Sequence, residues 1–215
     1  ISDKRAKSIM NKFVTFEGCD GVGKTAQLKK LKIYCDAFKP DVVFTREPGG
    51  SAVAEKIRGV ILDAGNAGMT DMCEAFLYAA ARAQHLNDIV LPALKAGKTV
   101  FCDRYVDSSL AYQGAGRGLG IERVWRLNLL ATDGVMPECT VFFDLPPDKC
   151  FERKGGADCS DRIETGGRDF HMRIYDGYRE LAARWPERFE VVDASGTIDE
   201  IFSDLTARLK KRGVL

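Results

Sequence analysis

The stretch FEGCDGVGKTAQ, residues Phe16–Gln27, decides the fold. An apolar run of strand length stops at this bend, and a pattern with helical spacing begins after it. Within the bend, Gly18, Gly23, Lys24 and Thr25 have the spacing Gly-x-x-x-x-Gly-Lys-Thr, which is that of a P-loop between a strand and a helix. Backbone N–H groups and the helix N-terminus of such a loop face phosphate oxygens. The stretch therefore predicts a site for a nucleoside triphosphate.

Apolar runs of strand length alternate with longer stretches of helical spacing along the chain. The runs are Phe13–Phe16, Val42–Thr45, Thr99–Cys102, Thr140–Phe143 and Phe189–Val192. The helical stretches are Ala26–Phe38, Ala52–Leu62, Asp71–Ala96, Glu122–Ala131, Phe170–Arg184 and Ile198–Leu209. This alternation favours a parallel sheet covered on both faces. We expect an α/β fold, a three-layer P-loop NTPase sandwich with a five-stranded parallel sheet flanked by helices, and one domain over residues 1–215.

Composition argues against several other classes of function. The chain has 32 basic and 31 acidic residues, so no overall field draws it to nucleic acid or to a membrane surface. Seven cysteines are scattered singly without a C-x-x-C pair, which indicates reduced thiols in the cytosol and makes zinc binding improbable. No apolar run approaches the roughly 20 residues of a membrane helix. We expect a cytoplasmic protein without nucleic-acid or membrane partners.

Other motifs choose among the classes of P-loop protein. A GTPase carries an N-K-x-D motif late in the sheet, whereas the only Asn-Lys pair, Asn11-Lys12, precedes the P-loop. A motor needs coupling elements, for which 215 residues offer little room. A small-molecule kinase fits better. The alternative from another class is a nucleotide-dependent switch or binding module with a degenerate active site.

Two polar clusters after predicted strands add phosphate and metal ligands at the sheet edge where ligands bind. In TREPGGSAVAEKIR, Arg46 and Arg58 have the planar guanidinium that suits a phosphate dianion, or they form surface ion pairs with nearby glutamates. In FCDRY, Asp103 ends a strand, where a carboxylate can hold Mg²⁺ together with the P-loop hydroxyl of Thr25. The adjacent Arg104 could clamp phosphate, although a structural salt bridge is equally compatible with this pattern.

A candidate base pocket lies in the helical stretch EAFLYAAARAQH. Tyr78 and Arg82 are at positions i and i+4 and share one helix face. A ring for stacking and a guanidinium for a carbonyl edge would form a base pocket, and Tyr112 with Gln113 could meet a sugar or base. From these residues alone, a core tyrosine and a solvated arginine is the competing interpretation.

In several blocks the chain resembles the thymidylate kinase family in its bacterial type, which phosphorylates dTMP to dTDP with ATP. The blocks run in family order from Phe13 to Ile201 and include FVTFEGCDGVGKTAQ, TREPGGSAVAEKIR, FLYAAARAQH, FCDRYVDSSLAYQGAGRG, FDLPPDKCFERK, DRIE and VVDASGTIDEI. The resemblance implies a homodimer and Mg²⁺ as the cofactor. Another nucleoside monophosphate kinase, acting on dUMP, dGMP or UMP, is the rival on the same scaffold.

The resemblance also implies the site residues. Those for ATP are Gly18, Gly21, Val22, Gly23, Lys24 and Thr25, with Arg153 and Arg162 from a short mobile lid at about residues 152–167. Those for dTMP are Asp20, Glu47, Pro48, Arg58, Tyr78, Arg82, Arg104, Ser109, Tyr112 and Gln113. The catalytic residues are Lys24, Asp103, Arg104 and Arg153, and the metal ligands are Thr25 and Asp103.

Four of these residues receive particular roles from the resemblance. Asp20 accepts a hydrogen bond from the 3′-hydroxyl of dTMP. Tyr78 stacks on thymine where the family usually has Phe, and Arg82 reads a thymine carbonyl. Arg153 is the lid cation expected to reach the γ-phosphate.

Overall fold

The computed structural model describes residues 13–39, 41–154 and 167–215. Within these residues five parallel strands form one sheet in the order β2-β3-β1-β4-β5. The strands are β1 (Phe13–Glu17), β2 (Val42–Arg46), β3 (Thr99–Asp103), β4 (Cys139–Asp144) and β5 (Phe189–Asp193). Every predicted strand is confirmed to within a residue at each end, and the sheet is the predicted one.

Helices flank this sheet. They are α1 (Lys24–Phe38), α2 (Ala52–Leu62), α3 (Asp71–His85), α4 (Leu91–Lys95), α5 (Val106–Ser109), α6 (Ile121–Thr132), α7 (Pro147–Lys154), α8 (Gly167–Arg184) and α9 (Ile198–Lys211). The single helix predicted over Asp71–Ala96 is interrupted by a π-helical turn at Leu86–Val90. The chain remains helical through that turn. The predicted extent of the helical stretch is therefore confirmed, but it is not one continuous α-helix.

Two helical segments escaped the sequence analysis. One is α7, and the other is α5 with the π-helical segment Leu110–Gly116 that continues it. Glycines inside this segment hid it, because glycine is a poor helix former. Close packing explains Gly116: a Cβ there would lie 2.9 Å from atoms of Ile174 and Phe170 on α8. The segment therefore packs against α8 at a distance that larger side chains exclude.

The central strand β1 lies between β3 and β4, and all five of its residues are buried. Phe13, Val14 and Phe16 have no exposed surface and belong to the main hydrophobic core. Burial on both faces is typical of a parallel sheet covered by helices. In the register of β1 and β3, Phe16 pairs with Asp103, so the end of β3 lies beside the start of the P-loop. None of the described helices is long and apolar enough to cross a membrane.

Candidate active site

The P-loop joins the buried end of β1 to the N-terminus of α1. Gly18 has φ 142°, and a Cβ at this position would lie 2.9 Å from the Phe143 carbonyl oxygen. Gly23 is the N-cap of α1 with φ 100°. Both positions require glycine, because side chains rarely tolerate positive φ. The turn therefore directs the N-terminal N–H groups of α1 into the crevice, as an anion site requires.

Lys24 lies inside this turn. Its side chain is buried, and Nζ donates a hydrogen bond to the Gly18 carbonyl at 3.0 Å. Burial lowers the pKa of Lys24, and the neighbouring Arg104 guanidinium lowers it further. The positive charge of Lys24 is therefore not fully balanced by negative charge and hydrogen bonds from the protein. A phosphate chain in the loop would supply the missing negative charge.

Arg104 is the centre of the polar network at the strand ends. Its Nη2 donates to Asp20 Oδ1 at 2.6 Å and to Tyr112 Oη at 3.1 Å. Tyr112 Oη donates in turn to Asp20 Oδ2 at 2.8 Å. Arg104 also has φ 69°, a conformation that costs a non-glycine residue energy and is commonest at functional sites. The structure thus joins Asp20 of the P-loop to Arg104 and Tyr112, as the predicted acceptor site requires.

Glu17 is a buried carboxylate directly before the P-loop, and it had no role in the sequence analysis. Its Oε1 accepts from the Tyr105 backbone N–H at 2.8 Å. Its Oε2 accepts from the hydroxyls of Ser108 at 2.5 Å and Tyr178 at 2.8 Å. Burial raises the pKa of Glu17 to about 7, and the neighbouring charge of Asp107 adds to this shift.

The raised pKa of Glu17 predicts a pH-dependent stability. Between its ordinary pKa of 4.5 and the folded value of about 7, the folded chain holds more protons than the unfolded chain. The contribution of Glu17 to stability is therefore complete below pH 4.5 and lost as pH rises through about 7. From pH 5 to pH 8, we expect the wild type to lose a few kcal/mol of unfolding free energy relative to Glu17→Gln. Urea denaturation of both proteins at the two pH values measures this difference, and a pH-independent difference would contradict it.

Two adjoining cavities open at this edge of the sheet. A cavity of about 420 Å³ lies over the P-loop and is lined by four cations and three carboxylates, namely Lys24, Arg46, Arg58, Arg104, Asp20, Glu47 and Asp103. A narrower pocket of about 100 Å³ is lined by Asp20, Glu47, Pro48, Arg58, Leu62, Tyr78, Arg104, Ser108, Tyr112 and Gln113. The two share Asp20, Glu47, Arg58 and Arg104. The structure therefore brings the P-loop and most of the predicted acceptor residues to one continuous crevice.

Tyr78 and Arg82 share a helix face but not an environment. Tyr78 is half-buried and lines the narrow pocket. Arg82 is 1% exposed and is not among the described residues that line either cavity. The competing interpretation of a core tyrosine and a solvated arginine is therefore wrong for both side chains.

Arg82 directs its N–H groups at protein acceptors. Its Nε donates to Glu47 Oε2 at 2.7 Å, and Nη2 donates to the Tyr105 carbonyl at 2.9 Å. Its Nη1 donates to Ser109 Oγ at 2.9 Å and to Asn128. In this structure Arg82 binds Glu47, which lines the pocket, and does not line the pocket itself. Its predicted contact with a base carbonyl stays a prediction. Ser109 is likewise not among the described residues that line the narrow pocket, whereas Ser108 is.

The loop after β2 carries the second group of predicted residues. Arg46 Nη1 and Arg58 Nη1 both donate to the Pro48 carbonyl, at 3.1 and 2.9 Å. Arg46 also pairs with Glu55 at 2.9 Å, so the ion-pair alternative holds for Arg46. Arg58 lines both cavities, which agrees with a role in phosphate binding. The peptide bond between Glu47 and Pro48 is cis.

The predicted magnesium ligands lie in positions that suit a metal bound largely by phosphate. Thr25 and Asp103 both line the P-loop cavity, and Asp103 Oδ1 is buried without a hydrogen-bond partner among the described residues. No cluster of three or more His, Cys, Asp or Glu in the described ranges could hold a metal by itself. Mg²⁺ commonly takes one or two protein ligands together with substrate phosphates. The donor set therefore fits Mg²⁺ brought in by a nucleotide.

The predicted lid cations are placed differently. Arg153, near the end of α7, donates to the carbonyls of Val22 at 3.4 Å, Ser195 at 3.0 Å and Gly196 at 3.3 Å. This position is on the flank of the P-loop, and Arg153 is not among the described residues that line the P-loop cavity. Arg162 and most of the predicted lid lie outside the described residues.

Several residues of the site could not be named from local sequence. Gln113 Nε2 donates to buried Glu74 at 2.8 Å, and Glu74 also accepts from Arg117. Ser108 carried a usable signal, because it precedes Tyr112 by four residues. In a helix this spacing places both side chains on one face, but the sequence analysis did not predict the helix after β3.

Comparisons with known proteins agree with this geometry. A family model described as thymidylate kinase matches residues 16–205. The thymidylate kinase of Finegoldia magna is 48% identical over 203 residues, covering 94% of this chain and 100% of that protein. The thymidylate kinase of Limosilactobacillus fermentum is 44% identical over 204 residues, covering 94% of this chain and 95% of that protein.

A solved structure shows the same fold. The crystal structure of thymidylate kinase from Ehrlichia chaffeensis aligns with a TM-score of 0.74 and 31% sequence identity, over 92% of this chain and 97% of that one. The sheet order, the P-loop and the acceptor pocket thus occur together in a chain whose relatives match it almost end to end. The chain belongs to the thymidylate kinase family, whose members phosphorylate dTMP to dTDP with ATP.

Proposed function

We propose that this chain transfers the γ-phosphoryl group of ATP directly and in line to the phosphate of dTMP, as a step in dTTP synthesis. The observation that carries this proposal is the pair of adjoining cavities that share Asp20, Glu47, Arg58 and Arg104. One cavity has the P-loop for a triphosphate, and the other has arginines for a second phosphate. The shared residues stand where the two nucleotides would meet.

Positioning and charge neutralisation supply the catalysis. The acceptor is a phosphate oxygen, largely ionised near neutral pH because its second pKa is about 6, so no general base is needed. Two polyanions must approach each other while their repulsion is cancelled. Lys24 would reach the β- and γ-phosphates, and Arg58 with Arg104 would clamp the phosphate of dTMP. These cations already line the crevice, so little reorganisation is required as charge develops.

Magnesium belongs to the proposal as the cofactor that accompanies ATP. Thr25 and Asp103 would hold it, with Asp103 offering its unpartnered buried oxygen. When bound, Mg²⁺ neutralises charge on the β- and γ-phosphates. Gly18, Gly21, Val22 and Gly23 contribute the surrounding loop backbone.

The acceptor pocket would select a deoxyribonucleotide with a pyrimidine base. Asp20 would accept from the 3′-hydroxyl of the sugar, and the Tyr112 ring, whose hydroxyl donates to Asp20 at 2.8 Å, would exclude a 2′-hydroxyl. Tyr78 would stack on thymine, and Gln113 lines the same pocket. Glu47 and Pro48 would shape the wall opposite Tyr112.

A panel of monophosphates tests the function. The purified chain with Mg²⁺ and ATP is given dTMP, dUMP, dGMP or UMP at equal concentration, and ADP release is measured. We expect dTMP to have the highest kcat/KM. Preferred turnover of another monophosphate would favour the rival kinase, and tight ATP binding without turnover of any would favour the degenerate switch.

Tyr78→Ala is expected to raise the KM for dTMP about 10- to 100-fold, because stacking of one base on an aromatic ring contributes about 1–3 kcal/mol. The KM for ATP should change less than about two-fold, since Tyr78 is not among the described residues lining the P-loop cavity. Initial-rate kinetics with each substrate varied in turn measure both constants. Tyr78→Phe is the matched control and should stay near the wild type. An unchanged KM for dTMP in Tyr78→Ala would remove the stacking role.

Arg153 stays a candidate for the γ-phosphate and for the ATP site. Its three carbonyl partners would have to be exchanged for phosphate oxygens on closure of a lid over about residues 152–167. Closure of this kind excludes water, the competing acceptor. A fall in kcat for Arg153→Ala without a change in the KM for dTMP would support this role, with Arg162 as the other candidate cation.

A homodimer in the cytoplasm is the proposed state of the enzyme. Support comes from large apolar side chains exposed on α3 and α6, which pack side by side: Phe76 is 57% and Leu130 85% exposed. Exposed apolar area of this kind is typical of interfaces. Phe76→Asp with Leu130→Asp is expected to yield monomers in sedimentation velocity at a concentration where the wild type is dimeric. A wild type that sediments as a monomer throughout would contradict the proposal.

A further inference from the structure

Glu17 is a buried ionisable group that the proposed mechanism leaves without a role. It is fully buried at the end of β1, one residue before the P-loop. Burial of a carboxylate destabilises the folded state unless hydrogen bonds compensate for the lost hydration. One of those bonds comes from Ser108, which lines the narrow pocket, and two separate routes lead from Glu17 to Arg104.

The first connection from Glu17 to Arg104 runs through the backbone. The Arg104 N–H donates to the Phe16 carbonyl at 3.0 Å, and the next N–H, that of Tyr105, donates to Glu17 Oε1 at 2.8 Å. The two peptide groups that flank the Arg104 Cα are therefore both held by consecutive residues of β1. This matters because Arg104 has φ 69°, a conformation that persists only where the surroundings over-determine it.

The second connection runs through two hydroxyl groups. Arg104 Nη1 donates to Ser108 Oγ at 3.1 Å and to Tyr178 Oη at 3.2 Å. Each hydroxyl has one proton, and both lie within donating distance of Glu17 Oε2, at 2.5 and 2.8 Å. Burial raises the pKa of Tyr178 well above its ordinary value, so this phenol keeps its proton to donate.

The polarity of this arrangement is fixed by the ionised form of Glu17, which predominates above its pKa of about 7, so the kinetic tests below are run at pH 8. Both hydroxyls donate to Glu17, and each is left with lone pairs that accept from the guanidinium. Nη1 is thereby turned toward the interior, while Nη2 faces Asp20 and Tyr112 in the crevice. A side chain without two acceptor oxygens at position 17 would lose at least one of the three hydrogen bonds that Glu17 accepts.

We propose that Glu17 is a positioning residue for the acceptor phosphate, acting through Arg104, whose backbone and guanidinium it holds in one orientation. The inference rests on the proposed role of Arg104 as a clamp for the phosphate of dTMP. Glu17 itself touches neither cavity among the described lining residues. Its effect should therefore appear on the acceptor and disappear when Arg104 is removed.

Glu17→Gln tests the proposal through a split between the two substrates. The amide keeps the size of the side chain but replaces one acceptor oxygen by a donor, so either the Tyr105 N–H or the hydroxyls of Ser108 and Tyr178 lose their acceptor. We expect kcat/KM for dTMP to fall about 10- to 100-fold, the usual effect of losing a hydrogen bond to a charged group, and the KM for ATP to change less than about two-fold. An equal rise in both KM values would show a general disturbance of the site and overturn the proposal.

A double-mutant cycle with Arg104 supplies a readout that a purely structural role would not produce. If Glu17 acts through Arg104, Glu17→Gln should cost less than about three-fold in kcat/KM for dTMP when added to Arg104→Lys. Full additivity of the two losses would overturn the proposal. The wild type in the same assay shows whether dTMP is phosphorylated at all, so failure of the proposed function is recognised separately from failure of this inference.

Tyr178→Phe and Glu190→Gln complete the design. Tyr178→Phe removes one of the two hydroxyls with little change in volume, and a loss of about three- to ten-fold confined to dTMP is expected. It keeps the proposal testable if Glu17→Gln does not fold, and an unchanged kcat/KM would overturn it. Glu190→Gln is the matched control, because this carboxylate on β5 binds Arg208 and Arg212 and is not among the described residues that line either cavity. It should lower thermal stability and leave the KM for dTMP within about two-fold, whereas a rise like that of Glu17→Gln would count against Glu17.

Discussion

Lys24→Ala should lower kcat on the order of 10²- to 10³-fold, the loss seen when one preorganised donor to a developing charge is removed. Nζ lies inside the P-loop on the Gly18 carbonyl, and burial holds the side chain among the N–H groups that would surround the phosphates. A water molecule in place of Nζ would not be held in one orientation, and its reorientation in the transition state would cost free energy that the fixed lysine avoids. Single-turnover transfer from labelled ATP to dTMP, at saturating concentrations of both, measures the effect on the chemical step.

The control for Lys24 is six residues away on the same helix. Lys30 pairs with Asp199 of α9 and is not among the described residues that line the cavities at this edge of the sheet, so Lys30→Ala removes the same charge from the same element without touching the P-loop. It should leave kcat within about two-fold. A comparable loss in both variants would mean that the overall positive charge of α1, and not the position of Lys24, governs the rate.

Arg104→Ala is expected to lower kcat/KM for dTMP by about 30- to 900-fold. The substitution removes the proposed clamp on the acceptor phosphate, worth about 2–4 kcal/mol by analogy with lost transition-state donors. It also removes the guanidinium that pairs with Asp20 at 2.6 Å, so the Asp20 carboxylate would have less positive charge beside it when two polyanions approach. Steady-state kinetics with dTMP varied at saturating ATP measure the loss.

Arg212→Ala is the matched control for that experiment. Arg212 follows α9 and pairs with Glu190 at 2.6 Å, so its removal also breaks an ion pair but at the end of a helix that contributes no residue to either cavity lining. Its kcat/KM should be unchanged. If the Arg104→Ala defect were equally large with ATP as the varied substrate, an acceptor clamp would be the wrong description of Arg104.

The sequence predicts the sheet and the P-loop because both are encoded locally. Each strand is a short apolar run bounded by polar or turn residues, and a buried parallel sheet needs little else. The spacing from Gly18 to Thr25 places the phosphate loop at the bend between β1 and α1. Asp103 and Arg104 follow from the rule that ligands bind beyond the carboxyl ends of parallel strands.

Local pattern fails where a side chain is satisfied by distant partners. The i, i+4 spacing correctly puts Tyr78 and Arg82 on one face, but Glu47 and Asn128, which draw Arg82 inward, are 35 and 46 positions away. Glu17 is an acid beside an obvious motif, yet its partner Tyr178 lies 161 positions further along. Such contacts depend on how helices pack on the sheet, which periodicity does not encode.

The glycines buried between α8 and the segment after α5 have a consequence for substrate range. A Cβ at Gly177 would lie 2.8 Å from that of Ala115, so this contact is as close as the one at Gly116. The segment that carries Tyr112 and Gln113 therefore packs directly on the backbone of α8, and this side of the narrow pocket has no room to move outward. A bulkier base would have to be accommodated by the other side, where Leu62 and Tyr78 are the movable groups. Variant libraries aimed at unnatural thymidine analogues should therefore vary residues of α2 and α3 and leave Tyr112 and its neighbours unchanged.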